Sequence, residues 1–287
     1  MAHRAGFVGL GNIGKPMARR LLAAGLETTV YDIDDAPVRE LVAAGAKAAA
    51  SPRELAAASD SVGICVRDDA DVRAVAYGDD GLLAGAAPGT VLAIHSTVLP
   101  ATVTEVAAAA AARGVGVVDA CVTGGASGAA QGTLVYMVGG DPAHLERCRP
   151  ALEACAAKIV HAGALGNGAK AKLCNNLMTY LAWTAAYEGA LLARAIDLPQ
   201  EILEEVTRAN GIMSEPMLRF LAVHKLPDEA RRSEPMQALL RGYLAVAEKD
   251  LAWTLQLARE AGVALPGTAL VSQIMARVYG VEDGRRR

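Results

Sequence analysis

The run Arg4-Ala5-Gly6-Phe7-Val8-Gly9-Leu10-Gly11-Asn12-Ile13-Gly14 passes without a linker into Lys15-Pro16-Met17-Ala18-Arg19-Arg20-Leu21-Leu22. An apolar strand, a turn with glycines at 9, 11 and 14, and a helical pattern thus follow in direct succession. No other stretch restricts the fold as much. In this context the first glycine permits a tight turn, the second lets a pyrophosphate approach the backbone, and the third lets helix pack on strand. Amides at the start of such a helix face an anion. Gly9, Gly11, Asn12, Ile13 and Gly14 are therefore the expected dinucleotide contacts.

The helical pattern ends near Gly25, where glycine can cap it, and a second strand, Thr28-Thr29-Val30-Tyr31, runs into Asp32. Asp32 lies eighteen positions past Gly14, close to the roughly twenty at which a carboxylate accepts hydrogen bonds from the adenosine ribose. A 2'-phosphate about 4 Å from that carboxylate meets a repulsion of up to about 4 kcal/mol at an effective dielectric of 20. NAD is accordingly expected over NADP, and no arginine stands nearby before Arg39 to receive the extra phosphate.

Composition narrows the remaining classes. A chain of 287 residues can divide into two domains, since single cores stop growing near that size. A formal charge of -3 argues against nucleic acid or an anionic membrane as partner. Cysteines at 65, 121, 148, 155 and 174 show no C-x-x-C pair and no zinc spacing, and are read as thiols of a reducing compartment. His95, His144 and His161 show no metal spacing, and no metal is expected. The first strand, starting by residue 5, is read as leaving no room for a signal peptide. No run of 18 apolar residues indicates a membrane span, so the expected location is the cytoplasm.

Short apolar runs alternate with Ala-rich helical stretches through the first 160 residues. Strands are expected at 7–9, 28–31, 62–66, 91–94, 115–118, 134–138 and 158–160. Helices are expected over 53–58, after Ser51-Pro52, and 101–113, after Pro100. From Gly168 to about Ala195 the pattern is one long helix, and only helical patterns follow, broken at Pro199, Pro216, Pro227 and Pro266. The expected architecture is α/β: an N-terminal Rossmann-like doubly wound sheet over residues 1–162, then, over 163–287, a long connecting helix and an all-helical domain.

Two segments stand out as chemistry at the carboxyl ends of such a sheet. Asp119-Ala120-Cys121-Val122-Thr123-Gly124-Gly125-Ala126 reads as a glycine-rich turn after the fifth strand. Its amides and the Thr123 hydroxyl can converge on a carboxylate, although a plain flexible loop fits the same composition. Gly166-Asn167-Gly168-Ala169-Lys170-Ala171-Lys172-Leu173-Cys174-Asn175-Asn176 opens the long helix, with Lys172 and Asn176 four apart on one face. Taken alone, such a lysine is more often a solvated surface residue.

These blocks together resemble the beta-hydroxyacid dehydrogenases, the family that contains 3-hydroxyisobutyrate dehydrogenase. The likeness is carried by the glycine turn with Pro16-Met17-Ala18, Ser96-Thr97-Val98, the segment 119–125, the G-x-G-x-x-x-K-x-x-x-N run 166–176, and Lys249-Asp250-Leu251. The resemblance implies that Lys172 is the catalytic lysine, Asn176 its partner, and Thr123, Gly124 and Gly125 the binders of a small carboxylate substrate. It implies that Thr97 touches the nicotinamide ribose and that Lys249 closes over cofactor and substrate. It also implies a homodimer or homotetramer, for which the long helix offers Leu173, Leu177, Leu181 and Trp183, a stripe equally fit for intrachain core.

A lysine suits hydride chemistry on physical grounds. Its ammonium stabilises a developing alkoxide and delivers a proton, while a nearby helix N-terminus and a cationic nicotinamide ring favour the neutral amine that oxidation needs. Arginine cannot shed its proton this way. The chain departs from the family pattern at Cys121 for proline, Thr123 for serine, Ile212 where an arginine is frequent, and Gly242 with Tyr243 where an aromatic is frequent. Those changes leave the particular acid open. Rival readings are a 6-phosphogluconate-type enzyme, against which Asn175 stands in place of histidine, an imine reductase, against which Lys172 counts, and a catalytically silent nucleotide-binding scaffold.

Overall fold

A computed structural model describes residues 3–282. The chain divides into two compact units, with the divide after Lys172. The sequence pattern sets its boundary earlier, at 162/163, because the long helix reads as the start of something new, whereas its first turn packs with the preceding unit.

In the first unit the order is β1 (Arg4–Val8), α1 (Gly14–Ala23), β2 (Glu27–Tyr31), α2 (Asp35–Ala43), β3 (Lys47–Ala48), α3 (Pro52–Ala57), β4 (Ser61–Ile64), α4 (Asp69–Ala76), α5 (Leu82–Gly85) and β5 (Val91–Ile94). It continues with α6 (Pro100–Ala111), β6 (Gly116–Thr123), α7 (Gly125–Gln131), β7 (Leu134–Gly139), α8 (Pro142–Glu153), β8 (Ala156–Gly163) and the start of α9 (Asn167–Ala195). The eight strands form one sheet in the order β3-β2-β1-β4-β5-β6-β7-β8. Every pair is parallel except β6 with β7.

Both faces of the sheet are covered, which is why its strands read as continuous apolar runs. Val91 and Ala93 join one core with Phe7, Val30 and Tyr136, closed by Met17 and Leu21 of α1 and Leu145 and Leu152 of α8. Their neighbours Leu92 and Ile94 join the opposite core with Val62 and Ile64, closed by Leu55 of α3, Val72 of α4 and Val103 and Val106 of α6. Period-two alternation thus sorts one strand between two cores. Local signals set the helix ends: the Ser51 hydroxyl accepts from the Glu54 amide at 3.2 Å, an N-cap, and the Glu54 carboxylate accepts from the Ala50 amide just before it at 2.6 Å. After α1, Gly25 takes φ 77° while its amide reaches Leu22 O and the Leu26 amide reaches Leu21 O.

Two expectations change. The strand β3 is only two residues long and shows no periodicity to read. The segment 119–123 is strand rather than turn, because β6 runs on to Thr123 and pairs Asp119 through Thr123 with Gly139 through Val135. The glycine turn is confined to Gly124 and Gly125.

The second unit is helical, from the Leu173 end of α9 through α10 (Gln200–Ala209), α11 (Glu215–Ala222), a 3-10 turn (Val223–Lys225), α12 (Asp228–Arg232), α13 (Glu234–Glu260) and α14 (Pro266–Tyr279). Its core joins Tyr180 of α9 to Leu244 and Leu251 of α13 and Val271 and Met275 of α14. Leu181 and Trp183 also pack there, with Trp183 stacked on Phe220 at 4.9 Å between ring centres. That half of the candidate association stripe is intrachain core.

Candidate active site

In the first unit the sequence-derived groups gather along one edge of the sheet, at the carboxyl ends of β1, β2, β5 and β6. The chain leaves β1 at Gly9, whose φ is 89° and where a Cβ would lie 2.3 Å from the Cys65 carbonyl oxygen. At Gly14 a Cβ would lie 1.9 Å from the Gly9 carbonyl oxygen. No other residue fits either position. Gly11, between them, is exposed, and a Cβ there would meet nothing within 4 Å. Ile13, the residue before α1, offers no side-chain acceptor to the first amides, unlike Asp34, Ser51, Asp68 and Asp141 at other helices. An open glycine followed by Asn12 and Ile13 at an uncapped helix start fits a pyrophosphate.

Asp32 stands at the end of β2, half exposed. Its Oδ2 accepts from the Leu10 amide, inside the glycine turn, and its Oδ1 accepts from the Asp34 amide at 2.8 Å. The carboxylate therefore braces the turn. Thr97 follows β5, half-buried, and the preceding Ser96 ties that strand end to β4. Ser96 Oγ donates to Val66 O and accepts from Val66 N, both at 2.9 Å.

Thr123 ends β6, and Gly124 and Gly125 follow with φ of 123° and 64°, two consecutive left-handed residues that only glycine adopts cheaply. A Cβ at Gly125 would meet nothing within 4 Å, so the space in front of the turn is open. Cys121 is fully buried, its thiol directed to the Ser96 carbonyl at 3.5 Å, as a packing residue would be. Burial pushes the Cys65 and Cys148 thiols up to about 12 and Cys155 up to about 11, which leaves them unreactive. Among the described residues no group of three His, Cys, Asp or Glu side chains is arranged for a metal.

Lys172 is half-buried near the start of α9, the last residue of the first unit. Asn176, one turn on, is 8% exposed and belongs to the second unit, where sequence reading missed the residue that organises it. Asp250 is 1% exposed and gathers three donors from two helices. Asn176 Nδ2 donates to its Oδ2 at 2.7 Å, Tyr180 OH donates to the same oxygen at 3.0 Å, and Lys249 Nζ donates to Oδ1 at 2.8 Å. Asn176 Oδ1 in turn accepts from Asn175 Nδ2 at 3.2 Å, which fixes the carboxamide's orientation. The only available sign was the acid beside Lys249 in Lys249-Asp250-Leu251. The departures from the family pattern lie open: Ile212 is 65% exposed, Tyr243 is 42% exposed, and a Cβ at Gly242 would meet nothing within 4 Å.

Known families match nearly the whole chain. The family described as the NAD-binding domain of 6-phosphogluconate dehydrogenase matches residues 4–163, and the NAD-binding family of NADP-dependent 3-hydroxyisobutyrate dehydrogenase matches residues 166–286. An NAD-dependent L-serine dehydrogenase of Pseudomonas aeruginosa is 43% identical over 205 residues, 71% of this chain and 69% of its own. The solved 3-hydroxyisobutyrate dehydrogenase of Mycobacterium tuberculosis with L-serine superposes with a TM-score of 0.79 at 31% identity, covering 98% of this chain and 94% of its own. An imine reductase of Streptomyces aurantiacus, 21% identical with a TM-score of 0.68 over 96% of this chain and 94% of its own, shares the fold alone. Fold and matches define an NAD(P)-dependent oxidoreductase. The chain belongs to the beta-hydroxyacid dehydrogenase family.

Proposed function

We propose that the protein interconverts a small β-hydroxy acid and its semialdehyde, with NAD preferred over NADP. When bound, the nicotinamide supplies or accepts the hydride. Lys172 as amine takes the hydroxyl proton during oxidation, and as ammonium returns it and neutralises the developing alkoxide during reduction. Thr123, Gly124 and Gly125 hold the substrate carboxylate, and Asn176 orients substrate and amine. Gly9, Gly11, Asn12, Ile13 and Gly14 hold the phosphates, Asp32 the adenosine ribose, Thr97 the nicotinamide ribose, and Lys249 closes on the cofactor. The first unit, which ends at Lys172, is the dinucleotide-binding domain, and the helical unit after it is the substrate and association domain.

One observation carries the reading. The glycine turn, Asp32, Thr97 and Thr123 all stand where β1, β2, β5 and β6 end, the edge at which doubly wound sheets bind their ligands. The relatives named for L-serine and 3-hydroxyisobutyrate direct the first assay to those two compounds. Each is incubated with NAD and with NADP, and the absorbance of reduced nicotinamide is followed. Reduction with either hydroxy acid is the expected outcome. Tight NADH binding with turnover only of cyclic imines, or with no turnover, overturns it.

Self-association belongs to the same reading. Met178, Ala185 and Leu192 fall on one face of α9 and are exposed, as are Ile196 just past its end and Ile202 and Val206 one turn apart on α10. An apolar stripe of this kind supports a homodimer or homotetramer, for which light scattering should give a mass above 29.6 kDa. Among the described residues no helix is long and apolar enough to cross a membrane, and a cytoplasmic location goes with the free thiols.

A further inference from the structure

Asp119 lies in the middle of β6 with no exposed surface, among apolar neighbours. Burial pushes its carboxyl up from the usual carboxylate range, and amide donors, Ala169 and Gly166 foremost, pull it back. Oδ1 accepts from the Gly166 amide at 2.9 Å and Oδ2 from the Ala169 amide at 2.7 Å. Those amides bracket the first turn of α9. One contact would fix a point on the helix, whereas two contacts three residues apart fix its height and its rotation as well. The fit is close on every side. A Cβ at Gly168 would stand 2.5 Å from the Asp119 and Met137 carbonyl oxygens, and one at Gly139 would stand 2.5 Å from Asp119 Oδ1. Lys172 follows Ala169 by three residues, about 4.5 Å along the axis.

We propose that Asp119 is the positioning residue for Lys172, setting from within the sheet the height and rotation of the helix that presents the amine. The inference rests on the reading of Lys172 as the proton carrier. It gives the Gly166-x-Gly168 spacing a physical cause: the first glycine presents an amide to the carboxylate, and the second lets the helix close onto the strand. It also makes β6 the common reference of the chemistry, since the strand ends four residues later at Thr123. A helix that shifts against β6 moves the amine relative to the bound carboxylate.

The test is Asp119→Asn, which keeps the size but offers one acceptor to two amides and turns a donor toward the other. A misplacement near 1 Å can cost about a hundredfold in rate. The expected result is a kcat lowered about 10- to 100-fold, with KM for the hydroxy acid that turns over fastest in the panel changed less than about threefold. Fluorescence titration with NADH should give an unchanged Kd and one site per chain. A merely structural defect removes NADH sites and kcat in proportion. Wild-type kcat in a folded variant overturns the inference, as does a proportional loss. Where Asp119→Asn prevents folding, Gly166→Ala decides: its Cβ would rest 3.4 Å from Pro100 in ordinary contact, and only the turn presenting the amide, at φ 87°, is strained. It should lower kcat at least threefold with NADH binding intact, and an unchanged kcat overturns the inference. Lys172→Ala run beside these separates the two claims, because retained turnover there sinks the lysine's role, whereas its loss with normal Asp119→Asn kcat sinks only the positioning.

Discussion

Replacing Asp32 by asparagine should weaken NAD binding and erode discrimination against NADP, in amounts that the geometry sets. The carboxylate holds two backbone amides, Leu10 in the glycine turn and Asp34 beyond β2. A hydrogen bond to a charged acceptor contributes about 1.5–3 kcal/mol, and an asparagine oxygen recovers one of the two at reduced strength. With the ribose contact also weakened, NADH Kd should rise about tenfold, equivalent to about 1.4 kcal/mol. The charge acts separately on the 2'-phosphate. Its ceiling is about 4 kcal/mol at 4 Å and an effective dielectric of 20, and because Asp32 is half exposed, solvent and salt leave roughly 1–2 kcal/mol. The ratio of NADPH to NADH Kd should therefore fall about 5- to 30-fold. Fluorescence titrations of both reduced cofactors measure it at physiological ionic strength. In about 1 M salt, where screening acts within about 3 Å, the wild-type preference should shrink toward the variant's. An unchanged ratio, or equal weakening of both cofactors, would refute the electrostatic argument and leave Asp32 as a brace for the turn.

Acid should cost stability through His95, which is buried between Phe7 and Tyr136 with Nδ1 at 2.9 Å from the Ala120 carbonyl and is held down to about 4 by burial. The folded protein keeps this ring neutral while the unfolded chain protonates it below about 6.5, so the stability is complete above 6.5 and is lost as pH falls to about 4. The loss is about 3 kcal/mol over that window, and urea unfolding of wild type and His95→Gln should show a shallower pH dependence in the variant, equal slopes being the contrary result. Asp250→Asn removes the buried charge that Asn176, Tyr180 and Lys249 share and should cost about 1.5–3 kcal/mol of stability, the contribution of a hydrogen bond to a charged acceptor. Denaturation midpoints within about 1 kcal/mol of wild type would show that the cluster is not coupled as drawn.

Local chemistry was legible in the chain wherever a backbone constraint leaves its mark on nearby residues. Gly9 is marked by its φ of 89° and Gly14 by the close approach of the Gly9 carbonyl, both inside a single strand-turn-helix unit, and Ser51-Pro52 starts α3 by a cap four residues wide, so both could be read directly. The long helix also stood out, with α9 running from Asn167 to Ala195. What escaped were polar residues buried by distant partners. Asp119 resembles the end of a strand because an acid seldom sits inside one, and its reason for being there lies 47 and 50 positions away at Gly166 and Ala169. Asp250 meets Asn176 across 74 positions, a separation at which no periodicity or spacing speaks. The two-residue β3 fell below any pattern.

The central claim is that the Lys172 amine carries the proton during hydride transfer, and steady-state turnover of Lys172→Ala with NADH titration of the same sample tests it most directly. The account predicts kcat lowered about 10²- to 10⁴-fold, with NADH Kd within twofold of wild type. Wild-type turnover in a variant that still binds NADH would contradict it.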